Sequence, residues 1–373
     1  MNILNPQLHE FDTVLISKRP LMFAGQNDCY ILRDTGQREP RLAFESWSSV
    51  GTEEEREPLV MRDLLTYHEA KISALMGAST RTVTINKGDR TNQGEEGEAG
   101  EFEPAGVIVG LVGPRMDKDG VMESQELKVS EDQNTEEKMK GDSVLNLFAE
   151  FYNIKKVPTF EKLFAAHTNG LNQGVAWLST LTKLFNKKSS NSRKLLNDYV
   201  EMTGRRNEKQ FLHVAGYRQR LRISFETLLA EADHRAATAS RKAYVHVVGL
   251  GLGVWRIYSG QVDLFTTEMV ETAARLRLQN ISDVDFSWVV NTGKQSVTFG
   301  ERILTDGELI PGTNMKMHVS KRNPWDKLEG EDRDKLVVAS WAWDGLSFVG
   351  RIMTHCSEMN HLWSESQCEI FSR

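Results

Sequence analysis

An α/β sandwich with a mixed sheet is the fold class this sequence predicts, on three observations. Short runs of β-branched and apolar residues recur at strand length, amphipathic stripes of helical period lie between them, and acidic or glycine-rich stretches separate the two. TRTVTIN (80–86) and GVIVGLVG (106–113) read as strands, with the acidic loop KGDRTNQGEEGEAGEFE (87–103) between them. After a second polar run at 129–143 the period changes. Val144, Leu147, Phe148, Phe151 and Tyr152 form a helical stripe, and Trp177, Leu178, Leu181, Leu184 and Phe185 repeat it. Leu221, Phe225, Leu228, Leu229 and Ala232 extend the helical section, read as 144–235. AYVHVVGLGLGVW (243–255) is a buried strand feeding a glycine loop. TTEMVETAARLRL (266–278) is a helix, FSWVV (286–290) a strand, NMKMHVS (314–320) alternates with period two, and KLVVASWAW (335–343) is another buried strand.

Composition narrows the partners. The chain has 373 residues and 39% hydrophobic content, enough for a sizeable core. A formal charge of −6 and a pI near 5.9 leave no net basic surface for a phosphate backbone, so no nucleic-acid partner is expected. No stretch reaches the roughly 18 apolar residues of a membrane span, so no membrane partner is expected either. Cys29, Cys356 and Cys368 form an odd, sparse set without metal-ligand spacing, which suits a reducing cytoplasmic or nuclear setting. No metal or cofactor is expected.

Two stretches carry candidate chemistry. In GLGLG, Gly249, Gly251 and Gly253 would let backbone amides approach a ligand, or simply permit a tight turn, the more frequent role of such a loop. The third glycine of a dinucleotide-binding turn would fall at Val254, which disfavours an oxidoreductase. His246 sits in an apolar run and reads as a core histidine. The second stretch is NPWDKLEGEDRDKLVVASWAWDG (323–345), where Asp326, Glu329, Glu331, Asp332 and Asp334 precede a strand and Asp344 follows it. Acids solubilise turns and Asp-Gly ends strands, yet a carboxylate at the carboxyl end of a parallel strand is also placed for a ligand. Trp288, Trp325, Trp341, Trp343 and Trp363 lie near these acids, as ligand walls or, more commonly, as core.

MRDLLTYHEAKISALM, GVIVGLVGPRM, AYVHVVGLGLGVW, NISDVDFSW, SKRNPWDKL and DKLVVASWAWDG, in this order, resemble the MavL-type family of divergent macrodomains. The resemblance implies a macrodomain-like three-layer sandwich with a mixed sheet over residues 45–350, carrying N-terminal (1–44) and helical elaborations. It implies removal of ADP-ribose from arginine, with ADP-ribose or an ADP-ribosylated protein as partner. The family's acidic trio falls on Asp326, Asp334 and Asp344, to position the ribose and activate water where a glycosidic bond cleaves through an oxocarbenium-like state. Gly249, Gly251 and Gly253, with Asn86 and Arg90 of INKGDR, become ligand-contact candidates. Agreement ends after Gly350, and the tail 351–373 diverges, which implies an incomplete C-terminal part of the sandwich and cleft. An ADP-ribose-binding or regulatory module without turnover is therefore the alternative function.

Overall fold

The computed structural model describes residues 21–24, 27–30, 52–56, 60, 62, 66–89, 95–140, 143–175, 198–203, 208–289, 296–342 and 369–371. The strands are β1 (Leu21–Ala24), β2 (Asn27–Tyr30), β3 (Gly77–Val83), β4 (Ala105–Leu111), β5 (Lys128–Val129), β6 (Tyr199–Thr203) and β7 (Lys209–His213). They continue with β8 (Ala243–Val247), β9 (Ile281–Ser287), β10 (Ser296–Phe299), β11 (Arg302–Thr305), β12 (Lys316–Ser320), β13 (Leu336–Ala342) and β14 (Glu369–Phe371). The helices are α1 (Tyr67–Ser73), α2 (Ser124–Leu127), α3 (Ser143–Phe151), α4 (Phe160–Val175), α5 (Val214–Thr238) and α6 (Gln261–Leu276). The chain divides into two compact units, one of Met1–Gly113, Ser224–Leu250 and Met269–Arg373, the other of Pro114–Ile223 and Gly251–Glu268.

The first unit is built on a mixed sheet of order β12-β9-β8-β13-β4-β3-β14. Its first five strands run parallel, while β3 is antiparallel to β4 and β14 antiparallel to β3. The alternation of side chains along a strand explains why these sequences form the middle of the sheet. Val245 and Val247 of β8, Val284 and Phe286 of β9 and Val338 of β13 share one parity, and all are buried. Val107 and Val109 of β4 join them through the pairing of Val338 with Val107. Helix α1 starts with a complete capping box, in which Thr66 accepts from the Glu69 amide at 3.2 Å and Glu69 accepts from the Thr66 amide at 2.9 Å.

The expected strands at 106–113, 243–247, 314–320 and 335–343 are all present, and the α5 stripe Leu221, Phe225, Leu228, Leu229 and Ala232 is wholly buried. Three expectations change. The strand read at FSWVV begins five residues earlier, at Ile281, and stops at Ser287, because Asp283 and Asp285 are buried strand residues whose polarity hid it. In α3, Phe148 and Tyr152 are buried with Leu145 and Ala149, whereas Leu147 and Phe151 are about half exposed, so the apolar stripe is rotated from the one expected. The section 144–235 is not helical throughout: β6 and β7 pair within it, and β7 also takes β5 as an antiparallel neighbour. The stripe Trp177–Phe185 lies outside the described residues.

The second unit is tied by a buried ion triad. Glu123 accepts from Arg115 Nε at 2.9 Å and from Arg220 Nε at 3.2 Å, and all three residues are at most 2% exposed. Burial pushes the Glu123 carboxyl up, but the two guanidinium groups outweigh it and hold the group at about 2. Glu123→Gln is expected to destabilise the protein by about 3 to 5 kcal/mol, since it removes the buried carboxylate on which both guanidinium groups converge. Because the folded value lies below the ordinary 4.5, this stability is fully present above pH 4.5 and is lost as the pH falls towards 2. Denaturant titrations of wild type and variant between pH 7 and 2.5 check both statements: the gap between them should narrow on acidification, and a pH-independent gap would contradict the assignment.

Candidate functional site

The five parallel strands of the first unit present their carboxyl ends at one edge, where open α/β sheets bind ligands. Gly249 follows β8 there. Gly251 and Gly253 belong to the second unit, where Gly251 has φ +75° and a Cβ would come within 2.8 Å of the Pro114 carbonyl oxygen. Backbone packing alone thus requires glycine at 251. Gly253 is exposed, and no described residue would come within 4 Å of a Cβ there, so its backbone is open to approach among the described residues. Asn86 is used inside its own loop: its side-chain oxygen accepts from the Gly88 amide at 2.8 Å, and its amide donates to the Glu95 carbonyl at 2.6 Å. Arg90 lies outside the described residues.

Asp326 is part-buried, forms an isolated antiparallel bridge with Phe102, and accepts from the Asn323 amide at 2.7 Å, closing a turn. Trp325 beside it is core, packed so closely on Gly106 that a Cβ there would lie 2.4 Å from the ring. Asp334 is exposed in the turn before β13, its carbonyl accepting from Arg241 Nε at 2.6 Å. Asp344 lies outside the described residues, as do Trp343 and Trp363. Phe102 precedes β4 and Asp334 precedes β13, so both described aspartates approach the amino ends of these strands. The described residues hold two of the trio, Asp326 and Asp334.

They bring together groups that the sequence reading passed over. Tyr244 and His246 of β8, Asp283, Asp285 and Ser287 of β9, and His318 and Ser320 of β12 point to one face, because Tyr244 pairs with Asp283 and His246 and His318 both pair with Asp285. Asp285 is fully buried, and one of its oxygens accepts from Tyr244 Oη at 3.0 Å, Ser287 Oγ at 3.0 Å and Ser320 Oγ at 2.8 Å. Its other oxygen has no hydrogen-bond partner among the described residues, nor has His246 Nδ1. Asp283 accepts from His318 Nε2 at 2.9 Å and from Lys335 Nζ at 2.5 Å. The signal was in the sequence: alternating acids in ISDVDFS and a histidine in KMHVS, each at period two within a strand.

Electrostatics separates the two histidines. Burial lowers His246, despite the Asp285 carboxylate beside it. The hydrogen bond to Asp283 raises His318 against its own partial burial. Burial pushes Asp283 up, yet its bonds to His318, Lys335 and Ser282 prevail and lower it. Asp283, His318 and Lys335 form a charge-assisted cluster at the strand start, suited to holding elements together and to a proton held on His318. Among the described residues no group of three or more His, Cys, Asp or Glu is placed to hold a metal ion. No helix among them is long and apolar enough to cross a membrane.

Comparison with known proteins adds two findings. Residues 4–354 match the family described as ADP-ribosylhydrolase MavL-like, a match that starts well before residue 45. Two curated relatives from Drosophila melanogaster are similar over most of the chain. ADP-ribosylarginine hydrolase CG2909 is 32% identical over 361 residues, which cover 93% of this chain and 64% of the relative. ADP-ribosylarginine hydrolase CG3568 is 31% identical over 342 residues, which cover 90% of this chain and 61% of the relative. The chain therefore spans a little under two thirds of the length of these relatives.

The two histidines are expected to titrate on opposite sides of 6.5, the ordinary imidazole value. His318 lends stability below pH 6.5 that is lost as the pH rises through its raised value, whereas His246 withdraws stability as the pH falls below 6.5. Imidazole NMR titration checks this, and Asp283→Asn should bring His318 down towards 6.5 while leaving His246 in place. A common midpoint for both histidines would contradict the arrangement.

Proposed function

The chain belongs to the MavL-like ADP-ribosylhydrolase family, and on that premise we propose that it removes ADP-ribose from arginine side chains of modified proteins. The extent of the likeness carries the proposal: it spans every parallel strand of the sheet and Asp326 and Asp334, in a chain whose curated relatives are named for this activity. The mixed sheet with α5 and α6 in the same chain supports a macrodomain, with its three-layer sandwich, as the finer description of the fold.

In the reaction a water oxygen bonds to the anomeric carbon of the distal ribose as the bond to the guanidine nitrogen breaks. Positive charge develops on the ribose, so nearby carboxylates stabilise the transition state, and one of them takes the water proton. The leaving guanidine is strongly basic and departs with a proton. Water is the co-substrate, and the proton count balances. We assign ribose positioning and water activation to Asp326, Asp334 and Asp344, and backbone contact with the ligand to Gly249, Gly251 and Gly253, with Asn86 and Arg90 as further contacts. Asp344 follows β13 in the sequence, and the carboxyl ends of parallel strands are where open α/β sheets bind ligands, which supports its place in this assignment. Asp334 is exposed before the strand's amino end and has the weakest claim.

Incubation with an arginine-ADP-ribosylated protein should release free ADP-ribose. Asp344→Asn is expected to lower kcat by roughly a hundred-fold or more, without change in circular dichroism, and Asp334→Asn to lower it least of the three. Unchanged turnover in Asp344→Asn would remove that residue from the mechanism. ADP-ribose binding without release from the modified protein would establish a binding module in place of a hydrolase. A nicotinamide absorbance change with alcohols or aldehydes would instead restore the dinucleotide reading of GLGLG.

A further inference from the structure

The segment from Lys321 to Lys335 leaves the carboxyl end of β12 and returns to the amino end of β13, carrying Asp326 on the way. No regular element longer than the three-residue 3-10 turn Gly330–Asp332 supports it. Such a stretch keeps a side chain in place only if its backbone is fixed from outside. Here the fixing points are specific. Asp285 accepts from Ser320 Oγ at 2.8 Å, and Ser320 Oγ in turn accepts from the Arg322 amide at 3.1 Å. The Arg322 carbonyl accepts two ring N–H groups, His246 Nε2 at 3.0 Å and Trp288 Nε1 at 3.1 Å. The Arg322 guanidinium lies 5.0 Å from the centre of the Tyr244 ring and donates to the Asp326 carbonyl at 2.5 Å. Asp326 then closes the turn on the Asn323 amide at 2.7 Å.

Trp288 shows that this grip is imposed. It has φ +60°, a left-handed backbone that bulky residues avoid, and its side chain is 63% exposed. Most of its surface stays in solvent, so burial there offsets little of the strain. Its backbone amide donates to the Ser320 carbonyl at 3.0 Å and its indole to Arg322, so both of its donors are directed to the residues that begin the segment.

We propose that Asp285 and His246 are positioning residues for Asp326: Asp285 acts through Ser320, His246 acts through the Arg322 carbonyl, and together they fix the turn that holds the aspartate. The inference rests on the reading of Asp326 as part of the hydrolytic site, and it names two buried strand residues on which activity depends.

The test uses the full chain, four variants and two readouts. Ser320→Ala cuts the link from Asp285, while Ser320→Thr retains the hydroxyl. His246→Leu cuts the other link, while His246→Gln places an amide N–H where Nε2 lies. In the Ala and Leu variants kcat for ADP-ribose release from modified arginine should fall about ten-fold or more with KM within about three-fold, because a displaced group costs transition-state contact before it costs affinity. Amide hydrogen exchange at Asn323 should accelerate about ten-fold in the same two variants. Thr and Gln should restore both readouts. Unchanged exchange at Asn323 in both cutting variants, or a loss of kcat that Thr and Gln do not rescue, overturns the proposal. If the wild type releases no ADP-ribose while exchange responds as stated, the positioning network stands and the hydrolytic reading falls.

Discussion

The buried carboxylate of Asp285 is the constraint around which the first unit is arranged. A carboxylate out of water is costly unless donors replace its hydration, and here three hydroxyls from three neighbouring strands converge on one oxygen. Tyr244 belongs to β8, Ser287 to β9 itself and Ser320 to β12, so satisfying one acid fixes side chains across half the parallel sheet. Parallel pairing supplies the register. A slip by one residue would turn these hydroxyls to the opposite face, where Val245, Val284 and Phe286 are buried, and leave the acid unpaired.

The sheet consequently has two unlike faces. One is apolar along β8, β9, β13 and β4, as expected of strands buried on both sides. The other is polar over β8, β9 and β12 and turns apolar over β13, where Tyr244, Trp325, Leu328, Val337 and Ala339 form a cluster with Ile108 packed on it. The segment after β12 runs over this second face, placing Trp325 against Gly106 and bonding the Leu328 amide to Glu103 at 2.9 Å. Trp325 and Asp326 are adjacent, so the residue that anchors the segment in the core also places the acid of the proposed site.

For the proposed hydrolysis of a glycosidic bond, what the protein would have to supply is placed negative charge and placed water, and both depend on rigid support more than on unusual side-chain chemistry. The described residues supply support in abundance: a bonded acid, two ring N–H groups on one carbonyl, and the Asp283–His318–Lys335 cluster at the opposite end of the same strands. The buried triad of Glu123, Arg115 and Arg220 has the same character in the second unit, with charge used to fix geometry.

Strand and helix alternation, the buried stripe of α5 and the glycine loop after β8 were legible in the sequence, because each rests on local periodicity and local backbone freedom. The order of motifs in the chain also pointed to the family. The polar face was not legible, since Asp283 and Asp285 look like loop residues until β8 and β12 bring Tyr244, His318 and Ser320 alongside, from positions more than thirty residues away in the chain. Nor could spacing show that Asp334 stands at the amino end of β13, or that Gly251 is required by Pro114, a residue far upstream. The sequence by itself determined which segments become strands and helices and which acids are candidates, because period and propensity are properties of neighbours along the chain. Only the tertiary structure decided which acids are buried, bonded or apart, because the energy of a buried charge is set by donors that the sheet register delivers from elsewhere in the chain.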